Sequence, residues 1–251
     1  MNPSYQLALA TDLDGTFLEG DQAVKNIFYN ELIRLREQVL LIYVTGRSVD
    51  TLEYFCKNAY LPHPHFIIAD HGTHIVDGKH FEPIQCLQDP IIETWNDSNI
   101  TLKKILQEEP GIVLQPIDPP YRVAYYYDPH QLQNRTLELI TQAGFDVILS
   151  CDMYLDIVPR GVNKGSSLMK LINHANVNQE IVITSGDSLN DLSLFQTGLK
   201  SIAVGNAEPK LRTAINNLCN VYLSKHPGLL GVIDGLHFYN KLQLFQLHPA
   251  A

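Results

Sequence analysis

Four short apolar runs constrain this chain more than any other feature: LALAT (7–11), VLLIYVTG (39–46), HFIIADHG (65–72) and IVITSGD (181–187). Each is bounded by turn or capping residues and reads as a strand buried in a parallel sheet. Between them lie helical patterns. KNIFYNELIRLREQ (25–38) repeats Ile27, Phe28, Leu32 and Leu35 at helical spacing, and RSVDTLEYFCKNAY (47–60) follows Ser48, a residue suited to an N-cap. GSSLMKLINHANV (165–177) is a third. Strand and helix in alternation predict an α/β fold with a doubly wound, Rossmann-like core and right-handed crossovers.

The middle of the chain has a different pattern. Between about residues 80 and 160, two helical stretches (88–109 and 129–144) interleave with strand-like YRVAYYYD (121–128), FDVILSC (145–151) and YLDIVP (154–159). Prolines 110, 116, 119 and 120 mark a loop-rich join. The expected organisation is a core of 1–79 and 161–251 carrying an inserted α+β domain, 80–160, with a small sheet covered by helices on one face.

Charge and cysteine content exclude several classes. The formal net charge is −9 with 18 Lys and Arg in 251 residues, and the isolated pair Lys103-Lys104 is the longest basic run, so nucleic acid is a poor partner. An acidic protein that takes an anionic small molecule needs local positive groups, helix N-termini or a bound metal. Cys56, Cys86, Cys151 and Cys219 have no zinc-ligand or disulfide-framework spacing. No signal-peptide core or membrane-length apolar stretch is visible, and the expectation is a cytoplasmic protein without a membrane partner.

Chemistry concentrates at the ends of the apolar runs. TDLDGT (11–16) sets Asp12 and Asp14 one residue apart just past a strand, where ligands sit in open α/β sheets. Unpaired carboxylates there call for a cation. VTGR (44–47) ends the second run with Thr45, NKG (163–165) puts Lys164 at a helix start, and GDSLND (186–191) adds Asp187 and Asp191. A lone DxDG is more often a turn. Four motifs in order, each in the appropriate strand-end or helix-start context, are far more specific.

Together these motifs resemble the haloacid dehalogenase superfamily of phosphohydrolases, and the resemblance covers the whole chain. The insertion is similar to the type IIB cap, and YLDIVPRGVNKG with PGLLGVIDGLHFY looks like the sucrose-phosphate and sugar-phosphate phosphatase group. The resemblance implies that Asp12 is the nucleophile, and that Asp14 protonates the leaving alcohol and then deprotonates water. It also implies Mg²⁺ on oxygen ligands: Asp12, the main chain of Asp14, Asp187, and Asp191 through water or as an anchor. Thr45 and the Gly46 N–H suit a phosphate. Lys164 supplies the positive charge and is expected to hold Asp12 ionised.

Other positions keep two readings. Arg47 contacts substrate or pairs with an acid. Ser188 and Asn190 bind substrate or brace the metal loop. In ADHGTHI (69–75), hydroxyl contacts from His71 or Thr73 are favoured over metal ligation by His71 and His74, because the superfamily's metal is oxygen-bound. Tyr125 and Tyr127 share one face of their strand and Tyr126 takes the other. Specificity is expected from the cap, with Tyr125, Tyr127, Asp152, Tyr154 and Arg160 as candidates. The expected activity is phosphomonoester hydrolysis on a phosphorylated sugar or disaccharide, sucrose 6-phosphate first. A phosphosugar mutase is the alternative enzyme, another small-metabolite phosphatase of the superfamily a nearer one, and a non-catalytic sugar-phosphate sensor the alternative binder.

Overall fold

The computed structural model describes residues 5–246. Its first half contains β1 (Leu7–Thr11), α1 (Gln22–Arg34), β2 (Val39–Val44), α2 (Val49–Lys57), β3 (Phe66–Ala69), β4 (His74–Asp77), α3 (Gln85–Trp95), α4 (Asn99–Ile105), β5 (Ile112–Leu114) and β6 (Val123–Tyr127). It continues through α5 (Asn134–Gln142), β7 (Phe145–Ser150), β8 (Tyr154–Pro159), α6 (Lys164–His174), β9 (Val182–Gly186), α7 (Leu192–Phe195), β10 (Lys200–Ala203), α8 (Pro209–Ile215), β11 (Val221–Leu223) and α9 (Gly228–Phe238).

Seven strands form the large sheet in the order β11-β10-β9-β1-β2-β3-β4, parallel except for the edge pair β3–β4. β1 lies between β2 and β9. Alternate residues of the central strands enter opposite cores. Leu7, Leu9, Leu41 and Tyr43 pack with Phe28, Leu52 and Val232 of α1, α2 and α9, while Ala8, Ala10, Leu40 and Ile42 pack with Leu168 and Leu171 of α6. Burial on both faces is why these strands are continuously apolar. The chain steps from β1 to β2 and β3 on one side and adds β9, β10 and β11 on the other. A crevice therefore opens at the C-terminal end of β1, where the strand order reverses.

The second sheet is antiparallel, in the order β5-β6-β8-β7. Val123, Tyr125, Leu155 and Ile157 face a core closed by Trp95, Leu102, Leu106 and Ile140. The opposite face carries Tyr126 across from Tyr154 and Ala124 across from Asp156. The helical pattern over 88–109 is two helices, α3 and α4. Asn96 and Asp97 break it with φ of 47° and 49°, a left-handed conformation that Asn and Asp tolerate better than other side chains. The segment after β3 is a tight turn at Asp70–Gly72 that feeds β4. Among the described residues, no helix is long and apolar enough to cross a membrane.

Candidate active site

Asp12 follows β1 directly, and its N–H donates to the Ser185 carbonyl of β9 (2.9 Å), so the two strand ends are locked side by side. The chain then turns through Leu13–Phe17, with Gly15 at φ +76°. A Cβ on Gly15 would lie 2.3 Å from Asp187 Oδ2. Glycine there satisfies both the turn and the approach of the second acidic loop. Thr16 Oγ1 donates to Asp187 Oδ1 (2.8 Å).

Lys164 begins α6 behind a capping box formed by Asn163 and Ser166, and it is fully buried. Its ammonium donates to Asp12 Oδ1 (2.7 Å), Asn190 Oδ1 (2.6 Å) and Asp191 Oδ1 (2.6 Å), which uses all three of its donors. Asp191 is spent in the same way. Its Oδ2 accepts the N–H groups of Asp187 (3.0 Å) and Ser188 (3.1 Å), so this acid anchors the loop.

Oxygens of Asp12, Asp187 and Asp191 lie within 4.8 Å of one another. One lysine faces these three acids. Burial pushes Asp12 well above the usual carboxylate range; Lys164 opposes it, while Asp191 and Asp187 add to it. Lys164 acts on Asp12 in the expected direction, favouring its ionised form, and shares its charge with Asp191. Asp187 is pushed up to about 7, by burial first and then by Asp191. An all-oxygen donor set with uncompensated negative charge suits a hard divalent cation such as Mg²⁺.

A cavity of about 920 Å³ stands over this floor, between the two sheets. Asp12, Asp14, Gly46, Arg47, His71, Asp187, Ser188 and Asn190 line it; Lys164, Thr45 and Asp191 lie beneath the floor. Arg47 donates to both carboxylate oxygens of Asp14 (2.7 and 2.5 Å) and lies 5.0 Å over the Phe55 ring, the acid-pairing arrangement of its two readings. Thr45 Oγ1 accepts the Arg47 N–H (3.2 Å). Thr73 does not reach the cavity. Its buried hydroxyl donates to the Asp70 carbonyl (3.0 Å) within the turn, which corrects the substrate contact expected of it.

Of the five cap candidates only Tyr154 lines the cavity. Tyr125 and Tyr127 pack on the helix-covered face, Asp152 pairs with Lys210, and Arg160 donates to the Thr141 carbonyl (2.6 Å). Alternation along β6 correctly pairs Tyr125 with Tyr127, but which face turns to the helices depends on α3, α4 and α5.

A second buried polar group was not anticipated. Arg122, at the start of β6, reaches Asp70 Oδ1 (2.9 Å) and Asp156 Oδ1 (2.5 Å). His74 Nδ1 is 3.3 Å from Asp70 Oδ2, and His71 Nε2 is 3.3 Å from Asp156 Oδ2. Burial would raise Asp156, yet His71 and Arg122 outweigh it and hold the carboxyl below its ordinary value. The available sequence signal was an acid inside an apolar strand, Asp156 in YLDIVP and Asp70 after FIIA.

With this geometry in place, relatedness to known proteins is informative. The sequence profile of the family described as Sucrose-6F-phosphate phosphohydrolase matches residues 5–240. The chain is 36% identical over 234 residues to a glucosylglycerol-phosphate synthase of Pseudomonas anguilliseptica, covering 92% of this chain and 31% of that protein. It is 28% identical over 230 residues to sucrose-phosphatase 1 of Nicotiana tabacum, covering 84% and 53%. It thus spans about a third and about half of those two relatives. The fold is similar to that of the sucrose-phosphatase of Synechocystis sp. PCC6803, solved with sucrose and phosphate, with a TM-score of 0.84, 24% identity and coverage of 94% and 98%. The resemblance carried by the four motifs holds, and the chain belongs to the sucrose-6F-phosphate phosphohydrolase family of haloacid dehalogenase-like hydrolases.

Proposed function

We propose that this protein is a Mg²⁺-dependent phosphomonoesterase acting on a sugar or disaccharide phosphate through an aspartyl-phosphate on Asp12. The observation that carries this reading is the convergence of Asp12, Asp14 and Asp187 on the floor of one cavity, with Lys164 directly beneath. Mg²⁺, when bound by oxygens of Asp12 and Asp187, supplies the positive charge that lets an anionic nucleophile meet an anionic phosphoryl group.

The chain's own residues do the rest. An Asp12 carboxylate oxygen attacks phosphorus, the bond from phosphorus to the ester oxygen breaks, and the departing alkoxide takes a proton from Asp14. Asp14 then takes a proton from water, whose oxygen attacks the aspartyl-phosphate. The bond from phosphorus to the Asp12 oxygen breaks, and inorganic phosphate leaves. Lys164 balances charge at Asp12 throughout. Arg47 donates to both oxygens of Asp14, so the carboxyl must leave this pair before one of its oxygens can carry the proton to the alkoxide. Asp191 holds the Asp187–Ser188 backbone in place.

A cavity of about 920 Å³ leaves room for a leaving group larger than the phosphoryl group alone. Sucrose 6-phosphate is the first candidate. The 36% identity to a glucosylglycerol-phosphate synthase adds a glucosylated glycerol phosphate. Phosphate release from a panel of phosphorylated mono- and disaccharides, with Mg²⁺ and with EDTA, tests the reading. The expected result is Mg²⁺-dependent release, abolished by EDTA and restored by the metal. Release from none of the panel in Mg²⁺ would overturn it.

A further inference from the structure

The loop that carries Asp187 is held from two sides. From within, Asp191 Oδ2 accepts the N–H groups of Asp187 and Ser188. From outside, Glu208, just ahead of α8, donates its own N–H to the Asp187 carbonyl (2.8 Å) and takes the Leu189 N–H on Oε2 (3.2 Å). The other carboxylate oxygen reaches out of the core. Oε1 accepts the N–H of Cys151 (3.2 Å), in the turn between β7 and β8 at the tip of the cap.

The tip turn is one that its own residues support poorly. Ser150–Met153 closes with the Met153 N–H on the Ser150 carbonyl (3.1 Å), and both central residues, Cys151 and Asp152, have positive φ, 56° and 49°. Asn and Gly favour such a turn, whereas a cysteine is strained there. Two groups beside α8 compensate: Glu208 on the Cys151 N–H, and Lys210, which pairs with Asp152. Ser150 and Cys151 line the same cavity as Asp187, Ser188 and Asn190. The tip thus takes its shape where it meets the core, and it walls the cavity beside the acidic loop.

We infer that Glu208 is a positioning residue that couples docking of the cap tip to the geometry of the Asp187 loop, so that the cation site has full affinity only while the tip is docked. The inference rests on the proposed Mg²⁺ site and deepens it. One carboxylate serves two N–H groups, one from each domain. A tip that lifts leaves the Glu208 side chain free to change rotamer, and Leu189 loses a fixed acceptor two residues from Asp187. Groups that orient a metal-binding carboxylate set its affinity as well as its place.

Mg²⁺ titrations read by thermal midpoint, without substrate, give a half-saturating concentration. In Glu208→Gln one of the two N–H groups meets an amide NH₂, and that concentration is expected to rise about tenfold. Asp152→Lys and Lys210→Asp each set like charges together at the tip, outside the acidic loop, and each should raise it about threefold. The two side chains are 54% and 60% exposed, so neither reversal threatens the fold. Combining the reversals should restore the parent value. A plain field effect would instead weaken Mg²⁺ binding in Asp152→Lys and strengthen it in Lys210→Asp. In the Glu208→Gln background neither reversal should shift the value further. Opposite shifts for the two reversals, no shift in either, or reversals that add in full to Glu208→Gln would overturn the inference while leaving the cation site intact. A parent whose midpoint does not respond to Mg²⁺ overturns the cation reading, and this inference with it.

Discussion

Two buried charge clusters face the same cavity, and they are built oppositely. On the floor, Asp12, Asp187 and Asp191 share one lysine, and Asp12 and Asp187 are pushed toward the protonated state. At the junction of the two sheets, Arg122 lies between Asp70 and Asp156, each acid has a histidine on its other oxygen, and Asp156 is held ionised. The first cluster has spare negative charge and free oxygens. The second has almost neither, apart from one ring nitrogen. A buried site with unbalanced charge is stable only if something else completes it, whereas a balanced one fixes geometry. This difference supports the proposal of cation and phosphoryl chemistry at the floor, with the junction aligning the two layers.

The sharpest way to break the contrast is at Asp12. Asp12→Asn removes the proposed nucleophile and should lower kcat roughly 10⁴-fold or more in a phosphate-release assay. Because Asn keeps an oxygen that accepts from Lys164 while removing one of three crowded carboxylates, its thermal midpoint in EDTA should equal or exceed that of the parent. A variant that keeps normal turnover, or unfolds, would place Asp12 in the other category.

Arg122→Met tests the balanced cluster. It leaves Asp70 and Asp156 buried without their cation, and urea unfolding should show a loss of about 3–5 kcal/mol. A loss below about 1 kcal/mol would mean that the junction opens to water.

The two clusters should also respond to pH with opposite sign. Asp187 titrates near 7 in the folded protein against an ordinary 3.8, so the native state binds the extra proton between those values. Stability of the metal-free protein is thus fully present below about pH 4 on this account and is lost as pH rises through about 7, with a slope of up to about 1.4 kcal/mol per pH unit for each such group. Asp12, also raised, adds to the trend. Asp156 is depressed, so its contribution is present above the unfolded carboxylate range and lost as pH falls below it. Thermal midpoints from pH 4 to 8 in EDTA and in Mg²⁺ check this. A downward slope in EDTA that Mg²⁺ does not reduce would remove the metal from the floor.

The smallest effect is expected at Thr16, whose hydroxyl is the side-chain donor to Asp187. Thr16→Val should cost about 0.5–1.5 kcal/mol by urea unfolding and raise the Asp187 pKa further. A larger loss would mean that the contact between the two acidic loops depends on this bond more than on Gly15.

Legibility followed the range of the interactions. LALAT, VLLIYV, FIIA and VITSG became β1, β2, β3 and β9 because an unbroken apolar run is what a doubly covered strand requires. Ser48 caps α2 as read, accepting the Thr51 N–H. The edge strand β4 and the short strands β5, β10 and β11 escaped notice, since none is an unbroken run of four apolar residues like FIIA and each takes its pairing from neighbours. Asp12, Asp14, Asp187 and Lys164 were legible because each closes a strand or opens a helix within a recognisable motif. Arg122, Asp70 and Asp156 were not, because 34 and 52 residues separate Arg122 from its two partners.

The sequence by itself determined the alternation of strand and helix, the placement of acids and hydroxyls at strand ends, and the four motifs that identify the family. These are local properties, set by side-chain period and by what a strand terminus or helix start can hold. The tertiary structure alone decided that Tyr125 serves the cap's own core while Tyr154 faces the cavity, and that Thr73 turns inward. It also decided that Lys164 is shared between Asp12 and Asp191, and that one ring nitrogen of His71 is buried without a partner. Each depends on which distant group arrives at a given face, and on burial, which sets the strength of every charge and belongs to the assembled layers rather than to any segment of chain.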